Sequence, residues 1–384
     1  MKFPLTKEQG ELQARVRMLA DGEFRERAAG WDAREEYPWE NVKTLVKEGL
    51  MGMAIPREYG GQGRELLDVI LAIEAAARTC GITGRLLVDS NLGPVGAIVH
   101  YGSEGQKTKY LPRVVQGDKP AIAITEHRAG SAASDLETTI APDGDGWVLD
   151  GSKRWITGAG VSQTYVVFGR LGGIPGAAGI GAVIAEAGMA GLSVVKREKA
   201  MGMRGIPEGE IVFTKCCLPG ANLLLPAGGF KKLMAAYNGQ RLGAATVALG
   251  LAQGAFELAV TYAGKREQFG RPIGRFQGLR WLVADMKMQI EAVRQMIYRT
   301  AANAGSGLPD VTEAAMCKVM ASEMAVKVTN DALQIFGATG YSREMPLERM
   351  VRDARMFMIA GGTVQTLRNV VSNAILGPMG QREG

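Results

Sequence analysis

Thr164-Tyr165-Val166-Val167-Phe168 is a run of β-branched and aromatic residues near the middle of a chain of 384 residues. Similar apolar runs occur close by, bounded by Gly and Asp, at residues 146–149, 181–184 and 210–213. No long amphipathic helix separates successive runs. The pattern therefore predicts a mainly antiparallel sheet over residues 119–225 and argues against a Rossmann unit.

Both flanking regions have helical patterns. Thr6 and Gln9 have the spacing of a capping box at the start of a first helix. A long apolar stripe with helical spacing occurs in the C-terminal region, at Leu279, Val283, Met286, Ile290, Val293 and Ile297. We expect an α+β, mostly α protein with an N-terminal helical domain (1–118), a middle β domain (119–225) and a C-terminal helical bundle (226–384).

Composition excludes several classes. Hydrophobic residues make up 46% and charged residues 22%, which is ordinary for a globular enzyme. The net charge of +6 is spread along the chain without a basic block, so nucleic-acid binding is not expected. The N-terminal residues lack the apolar core of a signal peptide, and no run of about 18 apolar residues suggests a membrane span. Four cysteines without CxxC spacing and two isolated histidines predict no metal site and a reducing, cytoplasmic environment.

Five separate segments carry a family resemblance. They are residues 123–131 (Ala-Ile-Thr-Glu-His-Arg-Ala-Gly-Ser), 149–157 (Leu-Asp-Gly-Ser-Lys-Arg-Trp-Ile-Thr), 266–277 (Arg-Glu-Gln-Phe-Gly to Phe-Gln), 331–341 (Asp-Ala-Leu-Gln-Ile-Phe-Gly-Ala-Thr-Gly-Tyr) and 352–363 (Arg-Asp-Ala-Arg to Ile-Ala-Gly-Gly-Thr). Together they closely resemble motifs of the acyl-CoA dehydrogenase family over nearly the whole chain. The resemblance implies that family's fold, with a C-terminal four-helix bundle, and an acyl-CoA substrate.

The same resemblance implies bound FAD. Thr125 and Thr157 would hydrogen-bond to the isoalloxazine ring, and Trp155 would pack against it. The other residues implied to line the flavin are Ile122, Ile124, Gly130, Ser131 and Ile156.

A second set of residues is implied to hold the cofactor from a neighbouring subunit. Arg266 would pair with the flavin pyrophosphate, for which a cation is the natural partner. The ADP part is assigned to Gln277, Gln334, Thr363 and Gln365, with Phe269, Gly337 and Ala338 beside them. A shared site of this kind implies a homo-oligomer, and the family is usually tetrameric.

The catalytic base of the family is missing. The motif R-D-A-x-x-x-x-I-Y-E-G-T has its glutamate at position 361, where this chain has glycine. Some relatives place the glutamate on an earlier helix, at the position of Gln240. Neither glycine nor a neutral amide can accept the proton. Fast oxidation of an acyl-CoA is therefore not expected.

Arg85 is the candidate for the residue that acts on the substrate in place of the missing base. Its guanidinium fork suits an acidic group at the far end of an acyl chain. Alternatively, Arg85 and Asp89 are four residues apart and could form a helical salt bridge. The combination of residues 84–93, Gln240 and the Gly361-Gly362 pair resembles the 3-sulfinopropionyl-CoA desulfinase branch of the family.

That resemblance implies release of sulfite from 3-sulfinopropionyl-CoA, leaving propionyl-CoA, without net oxidation. Arg85 would bind and activate the sulfinate, and Gln240 would place a water. Backbone N–H groups near Gly361 and Gly362 could polarise the thioester carbonyl. The implied substrate-binding set is Arg85, Ser131, Asn238, Gln240, Arg241, Gly361 and Gly362.

Two other functions stay open at this point. The first is an FAD-dependent dehydrogenase for an acidic or short-chain acyl-CoA whose base is unrecognised. The second is a flavin- or CoA-binding protein without catalysis.

Overall fold

The N-terminal part is helical. The computed structural model describes residues 5–377. Its first helices are α1 (Lys7–Leu19), α2 (Arg25–Arg34), α3 (Trp39–Lys47), α4 (Leu66–Ala77), α5 (Gly81–Asn91), α6 (Pro94–Tyr101) and α7 (Glu104–Val115). The predicted capping box is confirmed: Thr6 Oγ1 accepts from the Gln9 backbone N–H at 3.2 Å, and Gln9 Oε1 accepts from the Thr6 N–H at 3.1 Å. Every residue of α4 and α5 is buried, so these two helices form the inner layer.

The middle part is a sheet, as predicted. Its strands are β1 (Ala121–Ala123), β2 (Thr139–Asp143), β3 (Gly146–Thr157), β4 (Thr164–Leu171), β5 (Ile180–Glu186), β6 (Leu192–Arg197), β7 (Glu208–Pro219) and β8 (Leu223–Leu225). They run in the order β6-β7-β3-β2-β4-β5-β8, with β1 also paired to β4. Most pairs are antiparallel, and β4 pairs in parallel with both β1 and β2.

These parallel pairs have a simple geometric cause. β1 pairs with residues 165–167 of β4, and β2 pairs with residues 170–171 of the same strand. The chain leaves the sheet between β1 and β2 and returns farther along β4. The excursion, residues 124–138, contains the predicted flavin-binding segment.

The C-terminal part is a bundle of long helices. Its elements are α8 (Phe230–Lys265), β9 (Glu267–Gln268), β10 (Arg271–Pro272), α9 (Gln277–Ala304), α10 (Val311–Phe336), α11 (Ala338–Tyr341), α12 (Leu347–Met356) and α13 (Val364–Leu376). The predicted stripe on α9 is confirmed at its centre, where Met286, Ile290, Val293 and Ile297 are buried.

Helix α8 crosses the core between the N-terminal helices and the rest of the bundle. Among the helices of residues 5–377, it alone is long and apolar enough to cross a membrane, and 78% of its most apolar window is buried in the protein. Small residues allow this close packing. A Cβ on Gly250 would lie 2.6 Å from the Cβ of Ala77 on α4, and a Cβ on Gly243 would lie 2.8 Å from Val88 Cγ1 on α5. This close packing of α8 against α4 and α5 brings Gln240 close to Arg85 and Asp89.

Candidate active site

Asp89 lies at the centre of a buried cluster of polar side chains. Arg85 Nε is 3.1 Å from Asp89 Oδ1, and Lys119 Nζ is 3.0 Å from Oδ2. The side-chain amide of Gln240 donates to Oδ1 at 2.6 Å. Burial alone would raise the pKa of Asp89, but the two cations and the Gln240 hydrogen bond outweigh it and hold that pKa below its ordinary value. Asp89 is therefore ionised and fixes three donors that lie far apart in sequence.

The salt bridge considered for Arg85 exists, and it uses only part of the guanidinium. Nε donates to Asp89, whereas Nη1 and Nη2 donate to no residue in the described range 5–377. The side chain is nearly enclosed, with 8% of its surface exposed. Asp89 thus orients Arg85 by one nitrogen and leaves its two-pronged end available for an anion.

Gln240 has an unused acceptor. Its Oε1 is buried and has no hydrogen-bond partner among the described residues. A Cβ at position 93 would collide with this oxygen, so glycine is needed there for the amide to fit. A buried amide oxygen without a partner suits a water or a substrate donor.

A third group surrounds position 361. Arg241 Nε donates to the Gly361 carbonyl at 3.1 Å, and Arg241 Nη1 donates to Asn238 Oδ1 at 2.8 Å. Lys318 Nζ donates to the Gly362 carbonyl at 2.6 Å. Burial, reinforced by the charge of Arg241, lowers the pKa of Lys318 to about 7. Within residues 5–377, neither cation pairs with a carboxylate.

The backbone at the glycine pair is left-handed, with φ of 77° at Gly361 and 97° at Gly362. In the part of the chain that the structure describes, no residue accepts a hydrogen bond from either N–H. The two N–H groups are therefore available to a carbonyl oxygen, and a side chain at position 361 would have to adopt a conformation that favours glycine.

The predicted flavin-lining residues lie on β1, on the excursion that follows it and at the end of β3. The β3–β7 register shifts between Lys153 and Ile156, and Trp155 has φ of 56° within this bulge. Half of the Trp155 surface is exposed. Of the others, Ile124 and Ile156 are buried, Gly130 and Ser131 are exposed, and Ile122, Thr125 and Thr157 are intermediate. A large flat ring held outward beside two threonines fits an aromatic cofactor such as flavin.

A buried ion pair fixes the excursion. Lys153 Nζ is 2.6 Å from Glu126 Oε1 and donates to the Ile124 carbonyl at 3.0 Å. Glu126 in turn accepts from the Thr138 N–H at 3.0 Å. The ion pair ties both ends of residues 124–138 to β3, which positions Thr125 next to the bulge.

The second predicted cofactor set lies elsewhere on the surface. Arg266 and Phe269 belong to the β9–β10 hairpin region, where Phe269 is 92% exposed. Gln334, Gly337 and Ala338 lie at the α10–α11 junction, and a Tyr262–Phe336 stack of 4.0 Å joins this junction to the end of α8. Gln277 and Gln365 are exposed, and Thr363 caps α13 by accepting from the Thr366 N–H at 3.1 Å. Across residues 5–377, no hydrogen bond joins this set to Trp155 or Thr157.

Sequence reasoning missed three charged residues of the site: Lys119, Glu208 and Lys318. Lys119 Nζ donates to the Thr157 carbonyl at 3.1 Å, which links the flavin-lining strand to Asp89. Glu208 accepts from Thr157 Oγ1 at 2.8 and 3.0 Å. The pattern of β7 gave no signal for Glu208, because alternation along the strand places it on the face opposite the buried Gly209, Ile211 and Phe213.

Comparison with known proteins identifies the family. Three family models match: the N-terminal domain of acyl-CoA dehydrogenase over residues 6–118, the middle domain over 121–216 and the C-terminal domain over 227–376. The chain is 50% identical over 382 residues to a 3-sulfinopropanoyl-CoA desulfinase of Paraburkholderia xenovorans, covering 98% of this chain and 97% of that protein.

Solved structures show the same fold. Butyryl-CoA dehydrogenase from Megasphaera elsdenii has a TM-score of 0.94 and 35% identity, covering 98% of this chain and 100% of the other. A glutaryl-coenzyme A dehydrogenase in complex with glutaryl-CoA has a TM-score of 0.92 and 31% identity, covering 100% and 99%. The predicted fold and the resemblance to the desulfinase branch are confirmed, and flavin and an acyl-CoA are the ligands that the family implies. The chain belongs to the acyl-CoA dehydrogenase family.

Proposed function

We propose that this protein is a 3-sulfinopropanoyl-CoA desulfinase, which converts its substrate and water to propanoyl-CoA and sulfite without net oxidation. The observation that carries the proposal is the free end of Arg85, an anion-binding fork that Asp89 orients. The two positions at which family members carry the catalytic glutamate hold glycine (Gly361) and glutamine (Gln240). Three relatives that are 50% identical to this chain are named 3-sulfinopropanoyl-CoA desulfinase.

The chemistry needs no proton removal next to the thioester. The carbon–sulfur bond of the sulfinate breaks, the carbon keeps the electron pair and takes up a proton, and sulfur dioxide leaves. Water then adds to sulfur dioxide and releases one proton. A carboxylate at position 361 would repel the sulfinate, and it would do so more strongly in a pocket that excludes water. Glycine at this position, with Arg241 and Lys318 beside it, removes that repulsion.

Each remaining residue has an assigned task. Arg85 binds and polarises the sulfinate, and Gln240 uses its free Oε1 to place the water that captures sulfur dioxide. The N–H groups of Gly361 and Gly362 bind the thioester carbonyl. Ser131, Asn238 and Arg241 complete the substrate-binding set, with Asn238 holding Arg241.

The cofactor is FAD, held by Thr125, Trp155, Thr157 and their neighbours within one chain. When bound, it supplies a flat polarisable face that steadies charge at the reacting carbon. The exposed set around Arg266 and Phe269 serves the FAD of a neighbouring subunit in a homotetramer. The protein has three domains, at residues 1–118, 119–225 and 226–384. The enzyme acts in the cytoplasm.

Sulfite release is the decisive measurement. Purified protein is given 3-sulfinopropanoyl-CoA without an electron acceptor while flavin absorbance is recorded. Sulfite with the flavin still oxidised is the expected result. No sulfite, with flavin bleached by an ordinary acyl-CoA, would show a dehydrogenase instead, and tight binding with neither signal would show a protein without catalysis.

A further inference from the structure

Glu208 is a carboxylate that the proposed chemistry leaves unused. It begins β7 and lies directly opposite Thr157 in the β3–β7 register. Both of its carboxylate oxygens accept from Thr157 Oγ1, at 2.8 and 3.0 Å. Among the described residues, no cation forms an ion pair with it. A carboxylate in this position, between the flavin-lining strand and the Arg85 cluster, is not explained by packing alone.

Several charged groups surround Glu208. Arg85 and Asp89 act on it from α5, Lys119 from the segment before β1 and Tyr237 from α8. Burial raises the pKa of Glu208 to about 7, and the attraction of Arg85 and Lys119 only partly opposes this. At neutral pH the side chain is thus present in both its protonated and its ionised forms. A group that donates a proton in each catalytic cycle and then takes one back must be able to adopt both forms.

The proposed reaction needs such a donor. When the carbon–sulfur bond breaks, its electron pair stays on the carbon, and that carbon must receive a proton. Arg85 carries no transferable proton at neutral pH, and Gln240 and Asn238 are amides. The ionised Asp89 has no proton to give, because its pKa is held low by its three partners.

We propose that Glu208 is the general acid of the desulfination, an inference that rests on the proposed function. Its carboxyl proton passes to the carbon as the carbon–sulfur bond breaks, which yields the methyl group of propanoyl-CoA and sulfur dioxide. Water then adds to sulfur dioxide, forming hydrogensulfite and releasing one proton, which returns to Glu208. The cycle is redox-neutral and consumes one water.

The test is Glu208→Gln in the FAD-loaded enzyme. Glutamine keeps the size of the side chain and an oxygen that accepts from Thr157, but it cannot donate the proton. We expect kcat for sulfite release to fall about 10²–10⁴-fold, with KM, FAD content and propanoyl-CoA affinity unchanged. Glu210→Gln is the matched control: it removes the same charge from the same strand, but its side chain binds His127 at 2.9 Å, and its kcat should be unchanged.

The pH profile gives a second readout. The acid must be protonated, so wild-type kcat should fall as pH rises through about 7, and this decrease should be absent from the residual activity of Glu208→Gln. If Glu208→Gln does not retain FAD, Glu208→Asp is measured in its place. An active Glu208→Asp enzyme whose kcat decreases at a different pH from the wild type supports the role of Glu208. A decrease of kcat at the same pH as in the wild type overturns it.

The remaining outcomes are distinct. A Glu208→Gln variant with wild-type kcat overturns the role of Glu208 while leaving the desulfinase intact. No sulfite from the wild type overturns the proposed function and this role with it. Flavin bleaching by an ordinary acyl-CoA in the wild type but not in Glu208→Gln would make Glu208 a dehydrogenation base instead.

Discussion

Gln240 and Asp89, which are 151 residues apart, form a buried hydrogen bond of 2.6 Å in which the glutamine amide donates to Oδ1. The bond fixes the amide, because its nitrogen must point to the carboxylate and its oxygen must then point away. Oε1 is left without a partner for that reason. Glutamine at this position is thus a neutral donor matched to an ionised acceptor, and a glutamate would place two carboxylates in contact.

Gln240→Glu should therefore lower sulfite release by about 10–100-fold, since two carboxylates this close share one proton and the pKa of one rises strongly. The double variant with Asp89→Asn should recover part of the loss, because an asparagine amide can donate to the new carboxylate. Kinetics of both single variants and the double variant would measure this coupling. Purely additive effects would show that the pair does not act as a unit.

Arg85→Lys separates sulfinate binding from a structural salt bridge. Lysine can still pair with Asp89 but has no planar fork. We expect at least about a tenfold loss in kcat/KM for sulfite release, with little change in the free energy of unfolding. Arg113→Lys is the control, since Arg113 on α7 pairs with Glu186 at the end of β5, and neither residue is assigned to the site. Full activity in Arg85→Lys would remove Arg85 from the mechanism.

Gly361→Glu restores the residue type of the family motif. There is room for a Cβ, whose nearest neighbours would be Arg241 Cγ and Lys318 Cε, each at 4.0 Å. The left-handed backbone makes the change destabilising by about 1–2 kcal/mol. Sulfite release should fall, and an ordinary acyl-CoA should begin to reduce the flavin.

Gly361→Gln has the same bulk and strain without the charge, so it should show no flavin reduction. Stopped-flow absorbance of both variants checks the prediction. Equal behaviour of the two would show that charge at position 361 is unimportant.

Lys318 should make stability depend on pH. Its pKa is about 7 in the folded protein, whereas an unfolded lysine titrates at about 10.4. Between these values the unfolded state binds the extra proton, so the free energy of unfolding rises with pH, by up to about 1.4 kcal/mol per pH unit.

Lys318→Met should lower this slope, as measured by urea unfolding at pH 7, 8 and 9. Part of the slope should persist above pH 8, because burial also lowers the pKa of Lys153, to about 8. Lys327→Met changes an exposed lysine on the same helix, paired with Asp331, and should leave the slope in place. An unchanged slope in Lys318→Met would assign the pH dependence to another group.

Much of this protein could be predicted from local patterns. The runs of β-branched residues gave the strands, because alternation and turn residues act over a few positions. The stripe at Met286, Ile290, Val293 and Ile297 gave a core helix, because helical periodicity alone places these residues on one face. Positions 361 and 240 could be identified as lacking a carboxylate because motifs fix their place in the chain.

The parallel pairs of β4 could not be predicted in this way. They depend on where the chain re-enters the sheet after residues 124–138, and no local propensity encodes that choice. The excursion is in turn held by the Lys153–Glu126 ion pair, a contact between residues 27 positions apart.

The sequence by itself determined the fold class, the missing base and the possible pairing of Arg85 with Asp89, because one helical turn brings residues four apart together. Only the tertiary structure decided what else meets Asp89. Packing of α8 against α5 brings in Gln240, and the position of β1 brings in Lys119. The register of β7 against β3 places Glu208 on Thr157. These contacts depend on how whole helices and strands pack against one another. They place Arg85 within a cluster of charged and polar side chains that come from distant parts of the sequence.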